Sequence, residues 1–181
     1  QPYPPIYVAC FSEPTLRHAA RAGFDVMFAP FAAAMMFGSL QNAVQEFKRE
    51  SEAAGHVGRK VMCSYFVNVT FDERETLETK ERLLYYFHGI LPAFPADRAT
   101  APQHIRYFVD IVERMRSMTT HDLGERSIIT GSPEDCIKVL KDCEAAGIEE
   151  VILYFGFGGW SHTNTMTSME RVSKEILPYF D

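Results

Sequence analysis

Four residues, Ser12, Glu13, Pro14 and Thr15, stand where a strand-like run ends and a helical pattern begins. Two hydroxyls and the unpaired backbone N–H groups of a helix start gather there, which is the chemistry of an anion site, phosphate above all. The same hydroxyls also suit a plain helix cap, and the residues alone leave both readings open. The preceding run, Ile6 to Phe11, is apolar on both alternating faces, as expected of a parallel strand covered on both sides. Ligands of parallel sheets and barrels gather at the C-terminal edge of the strands, where Ser12 falls.

Other side chains with chemical potential are read against their ordinary roles. Ser64, in an apolar strand, suits a hydrogen-bonded core hydroxyl. None of His18, His56, His88, His104, His121 and His162 has metal-ligand spacing such as HExxH, so no metal is expected and surface or loop positions are. His162 is the best functional exception, because it follows the turn Gly156–Trp160 at the end of the last strand. Trp160 and Phe157 are placed to cover a ligand ring at that edge or to pin the loop to the core. Met35 and Met36, beside Phe31 and Phe37, read as packing. Cys10, Cys63, Cys136 and Cys143 form no CxxC pair and read as small buried hydrophobes, implying a reducing, cytoplasmic setting.

The elements that must position these residues alternate strand and helix. Ile6–Phe11 feeds a helix with the apolar stripe Leu16, Ala19, Ala20, closed by Gly23. Asp25–Ala29 is a second strand stopped by Pro30, and Phe31–Phe37 is apolar without clear period. Leu40, Val44 and Phe47 carry a helix to Gly55, and Arg59–Thr70 is the longest strand candidate, rich in β-branched and aromatic residues. Asp72 opens a charged helix. From about residue 88 to 126 the rhythm breaks, and only Ile105–Met118 looks helical in this irregular insertion. Ser132, Pro133, Glu134 and Asp135 then start a helix that runs to Gly147, Glu150–Phe155 is the last strand, and a final helix passes through Met169, Val172 and Ile176.

Composition narrows the function classes. The 181 residues are 46% hydrophobic and 23% charged, the balance of an ordinary soluble domain. No apolar run reaches the roughly eighteen residues of a membrane span, and no leader with an apolar core is seen, so no membrane role is expected. A net charge of −6 argues against a nucleic-acid partner, which demands a concentrated basic face. Two helix-to-strand joints, AARAGFDVMF and CEAAGIEEVIL, repeat one grammar, that of β/α barrels and doubly wound sheets. Four parallel strands with outer helices are countable, and a closed barrel of this kind needs about eight. The chain also opens on Gln1 with Pro2, Pro4 and Pro5 leading straight into a strand. A piece of a longer protein is therefore expected, or one of two chains that together complete a barrel.

The segments YVACFSEPTLRHAARAGFDVMF, RKVMCSYFVNVTFDERE, ITGSPEDCIKVLKDCEAAGIEEVILYFGFGG and SMERVSKEILPYF, in that order, resemble the C-terminal half of the bacterial luciferase-like, flavin-dependent monooxygenases. The resemblance spans nearly all of 1–181 and is weakest in the insertion. It implies a single partial domain, the C-terminal half of a TIM (β/α)8 barrel holding strands five to eight. It also implies that Ser12 and Thr15 hold a flavin phosphate with backbone amides near Phe11 and Ser12, that Val8, Ala9 and Cys10 lie beside the flavin ring, and that Ser64 lies near its edge. Phe28, Pro30 and Phe31 fall where the family walls its substrate pocket, and Trp160, from its place at the edge of the last strand, is a further candidate for that pocket. The family's catalytic histidine and basic phosphate ligands belong to the N-terminal half, so no catalytic residue is expected in this chain.

The activity implied for the parent is oxygenation of a small organic substrate, an aldehyde or other carbonyl or apolar compound, by O2 and reduced FMN supplied by a separate flavin reductase. Two alternatives stand beside it: a non-catalytic flavin-binding or structural half-barrel completed by a partner chain, and a deazaflavin-dependent oxidoreductase of the same superfamily. Open sheet edges further imply a homo- or hetero-oligomer, or pairing with the missing N-terminal half or a complementary subunit.

Overall fold

The computed structural model describes residues 4–180, His104 by its backbone only, so Gln1, Pro2 and the His104 side chain lie outside the described residues. The chain divides into two compact units, Gln1–Tyr65 with Lys138–Leu153, and Phe66–Ile137 with Tyr154–Asp181.

In the first unit, β1 (Tyr7–Cys10) pairs in parallel with β2 (Asp25–Phe28), Tyr7 opposite Asp25 and Cys10 opposite Phe28. β2 pairs in parallel with the start of β3 (Val61–Val69), Val26 opposite Val61 and Phe28 opposite Cys63. β5 (Glu150–Tyr154) also pairs with β3, so the four expected strands lie in the order β1, β2, β3, β5. Parallel neighbours demand crossover connections, and helices supply them.

The first crossover is α1 (Glu13–Ala22), which buries Leu16, Ala19 and Ala20 completely. Gly23 ends it at φ +73°, a left-handed conformation that favours glycine. The run Phe31–Phe37 is a helix, α2 (Pro30–Phe37), with Pro30 in its first turn and Gly38 at φ +81° as its stop. Its lack of period reflects an element apolar all round, which conceals helical spacing. Met36 is exposed there rather than packed. α3 (Leu40–Ala53) packs on α1 and α2 through Ala43, Val44 and Phe47.

The second unit holds the far end of β3, paired in parallel with a fifth strand, β4 (Ile128–Gly131), Phe66 opposite Ile128 and Val69 opposite Gly131. The sequence reading missed β4 because its four residues run straight into the strong helix start at Ser132. α4 (Glu73–Ile90) begins at Asp72, whose carboxylate accepts from the Glu75 N–H at 2.7 Å. The insertion carries short 3-10 turns around α5 (Tyr107–Ser117). α6 (Pro133–Ala145) starts here and continues into the first unit, and α7 (His162–Glu175) is capped by Ser161, which accepts from the Asn164 N–H.

An aromatic cluster centres this unit. Phe66 meets Tyr86, Phe87, Tyr154 and Phe157 with ring centroids 5.2 to 5.7 Å apart. Gly158 follows at φ +61°, where a Cβ would sit 2.2 Å from the Arg82 carbonyl oxygen, so no other residue fits that approach.

Candidate functional site

At the end of β1 the chain turns through Phe11 and Ser12 into α1. Ser12 is extended (φ −150°, ψ 153°), its side chain buried, and its Oγ accepts weakly from the Thr15 N–H at 3.4 Å. The two hydroxyls, Ser12 Oγ and Thr15 Oγ1, lie 2.9 Å apart, so one donates to the other. The sequence therefore brings both groups to one helix N-terminus, and there they close the cap between themselves. Pro14 contributes no N–H to the first turn, and the Glu13 carboxylate is held by Arg17 one turn on. What remains for an anion is a pair of hydroxyls three residues apart and the positive end of the helix dipole.

Alternation along the strands sorts the other expected contacts. Val8, Cys10, Val26, Phe28, Val61 and Cys63 share one face by register, and Ala9, Met27, Met62 and Ser64 share the other. Val8 and Cys10 thus point away from Ala9, and the three do not line one surface. The first face is core: Val26, Phe28, Val61 and Cys63 are fully buried, and Cys63 hydrogen-bonds the thiol of Cys143 on α6. Burial pushes the Cys10 thiol up to about 12. Phe28, expected as a pocket wall, is instead a core residue, because its side chain lies on the helix-covered face with no exposed surface. Pro30 is also buried, at the start of α2, while Phe31 is half-buried. On the second face Ala9 is exposed and Ser64 half-buried. All four cysteines are free and buried.

Trp160 and His162 belong to the second unit. The Arg82 guanidinium lies over the Trp160 ring at 4.0 Å and donates to the carbonyls of Gly158 and Gly159, which pins the loop before α7. His162 is exposed in the first turn of α7. Beside Trp160 opens a polar cavity of about 170 Å³, lined by Asn68, Glu75, Glu78, Asn164, Thr167, Ser168 and Arg171. Reading the sequence passed over it because Asn, Thr and Ser at helical spacing look like an ordinary solvated face. Among the described residues no helix is long and apolar enough to cross a membrane.

Comparison with known proteins places this architecture. No curated protein matches the sequence. Similar solved structures include the monooxygenase RslO1 of Streptomyces bottropensis, with TM-score 0.70 and 17% identity over 100% of this chain and 50% of that one. The oxygenating constituent of 3,6-diketocamphane monooxygenase of Pseudomonas putida, solved with FMN, gives 0.59 and 17% over 97% and 48%. The coenzyme F420-dependent tetrahydromethanopterin reductase of Methanopyrus kandleri gives 0.60 and 16% over 98% and 51%. The chain thus spans about half the length of these structures. Its fold is that of half a (β/α)8 barrel, with parallel strands joined by helices. Residues 1–150 match the family described as luciferase-like monooxygenase, and the chain belongs to that family.

Proposed function

We propose that this chain forms the phosphate-binding half of a flavin site in an oxidoreductase that oxygenates a small organic substrate with O2 and reduced FMN. The observation that carries the reading is the hydroxyl pair Ser12 and Thr15, 2.9 Å apart at the N-terminus of α1 and at the C-terminal end of a parallel strand. That donor set fits a phosphate monoester: the two O–H groups, turned from each other toward the ligand, and a helix dipole address its oxygens, and Arg17 neutralises Glu13, the nearest carboxylate on the same turn. Bound there, reduced flavin would supply the electrons for oxygen chemistry. This chain's own part is to hold the phosphate and to offer the second face of the sheet, with Ala9 and Ser64, as one wall of a water-excluding site.

The remainder of that wall, the catalytic side chains and the basic phosphate ligands belong in this proposal to the other half of the barrel, whether an N-terminal segment or a complementary subunit. A separate reductase supplies reduced FMN, and the setting is cytoplasmic. A deazaflavin-dependent oxidoreductase is the second reading, supported by the F420-dependent relatives of the same fold. The test is a binding comparison on the barrel completed with its other half. Ser12→Ala with Thr15→Val should weaken FMN at least about tenfold, the worth of one or two charge-assisted hydrogen bonds, and leave riboflavin nearly unchanged. Equal losses for both ligands would mean that the hydroxyls only cap α1.

A further inference from the structure

The polar cavity of the second unit lies away from the Ser12 turn in sequence and has its own logic. Asn164, Thr167, Ser168 and Arg171 recur at i, i+3, i+4 and i+7 along α7, a polar stripe at the spacing that normally carries apolar packing. It confronts Glu75 and Glu78 of α4 and Asn68 of β3, with Trp160 at the margin.

The charges cancel within the walls. Arg171 reaches both oxygens of Glu75 at 2.9 and 3.3 Å and also donates to the Val69 carbonyl. That pairing holds the Glu75 carboxyl below its ordinary value, so it stays ionised. Arg82 binds Glu78 through two nitrogens at 3.1 and 3.0 Å, both on Oε1. With each carboxylate matched to a guanidinium, the cavity has no excess charge with which to select an ion.

What is left over is neutral hydrogen-bonding capacity. Ser168 is 5% exposed as a residue, and its buried Oγ has no partner among the described residues, a group whose burial is costly unless something bonds it. Asn68 donates one amide hydrogen to Thr79 Oγ1 at 2.7 Å, which leaves its carbonyl oxygen as an acceptor. The hydroxyl of Thr167 and the amide of Asn164 add further groups that both donate and accept. About 170 Å³ exceeds the roughly 150 Å³ of an apolar cavity that admits benzene, and here the lining is polar.

We propose that this cavity binds a small neutral polyol, a ligand whose hydroxyls each donate and accept, seated against Ser168, Asn68 and Asn164 beside the Trp160 ring. No residue of the Ser12–Thr15 turn takes part in it, and Trp160 is the one residue it shares with the expected substrate-pocket wall.

Trp160 is the only tryptophan in the chain, so the indole emission comes from the margin of this cavity. The purified 181-residue chain is titrated with xylitol, with N-acetyltryptophanamide titrated in parallel to subtract the effect of the solvent. A saturable change in Trp160 emission is expected, weakened about fivefold by Ser168→Ala, the worth of one neutral hydrogen bond. Ser168→Ala should leave the melting temperature unchanged or raised, because it removes an unpartnered buried hydroxyl. Asn164→Ala, at an exposed position that does not hold the fold, should weaken xylitol as well. An emission change no larger than that of the free indole amide, or both variants binding xylitol as tightly as the parent, would mean that the cavity holds only water and would overturn the proposal.

Discussion

Neighbouring residues of the same strands meet opposite fates in the first unit. Val8, Cys10, Val26, Phe28, Val61 and Cys63 point to one side of the sheet, and most of them are lost completely to solvent. Ala9, Met27, Met62 and Ser64 point to the other, where Ala9 is exposed, Met27 and Ser64 are half-buried and Met62 alone is buried. Ile152 of β5 is 44% exposed as well. Strands apolar on both faces have evolved for two covers. The chain's own helices provide one, and we propose that the other half of a barrel or a second chain provides the other.

The sharpest way to break this comparison is to truncate one residue on each face. Phe28→Ala should cost about 3–5 kcal/mol of unfolding free energy, the ordinary loss for an aromatic core side chain. Met27→Ala, one residue along, should cost less than about 1 kcal/mol in the unassembled chain. Urea unfolding reads both, and equal losses would erase the distinction between the faces.

The covered face is also readable by pH. The Cys10 thiol is pushed up to about 12 by burial, so the folded chain keeps its proton where the unfolded chain has lost it. The stability of the thiol form is fully present below the unfolded thiol's value, near 8.5, and is lost as pH rises from there through about 12. Unfolding free energy should fall across that window by up to about 1.4 kcal/mol per pH unit from this thiol, and Cys10→Ala should flatten the slope. An unchanged slope in the variant would place the alkaline loss elsewhere.

A smaller effect belongs to the turn between the faces. Ser12→Ala removes the cap of α1 and should cost about 1 kcal/mol in thermal or urea unfolding. A loss well above that would show the hydroxyl to be a core group and not a cap with a ligand to spare.

Much of the scaffold was legible because local chemistry and global fold agree. Ser12 before α1, Gly23 after it, Asp72 before α4 and Ser132 before α6 are punctuation that the structure obeys. α2 was not legible, because eight nearly uninterrupted apolar residues carry no period, and β4 was hidden by the cap that follows it. The Ser12–Thr15 meeting could be read from spacing alone, since three residues at a helix start are necessarily adjacent. Phe28 could not be placed: alternation says that Met27 and Phe28 face opposite ways but not which side the helices cover. The stripe on α7 was invisible for the opposite reason, since polar residues at helical spacing do not announce whether they face water or a wall.

The central claim is that the open face is an interface awaiting the other half of a barrel or a second chain. Light scattering on the purified chain at micromolar concentration tests it most directly, beside Ile152→Glu, which sets a charge on exposed apolar surface without touching the covered core. The parent chain should scatter as an oligomer and the variant should fall toward the mass of one chain while keeping its circular dichroism. A parent chain that stays a stable, non-aggregating monomer would contradict the claim.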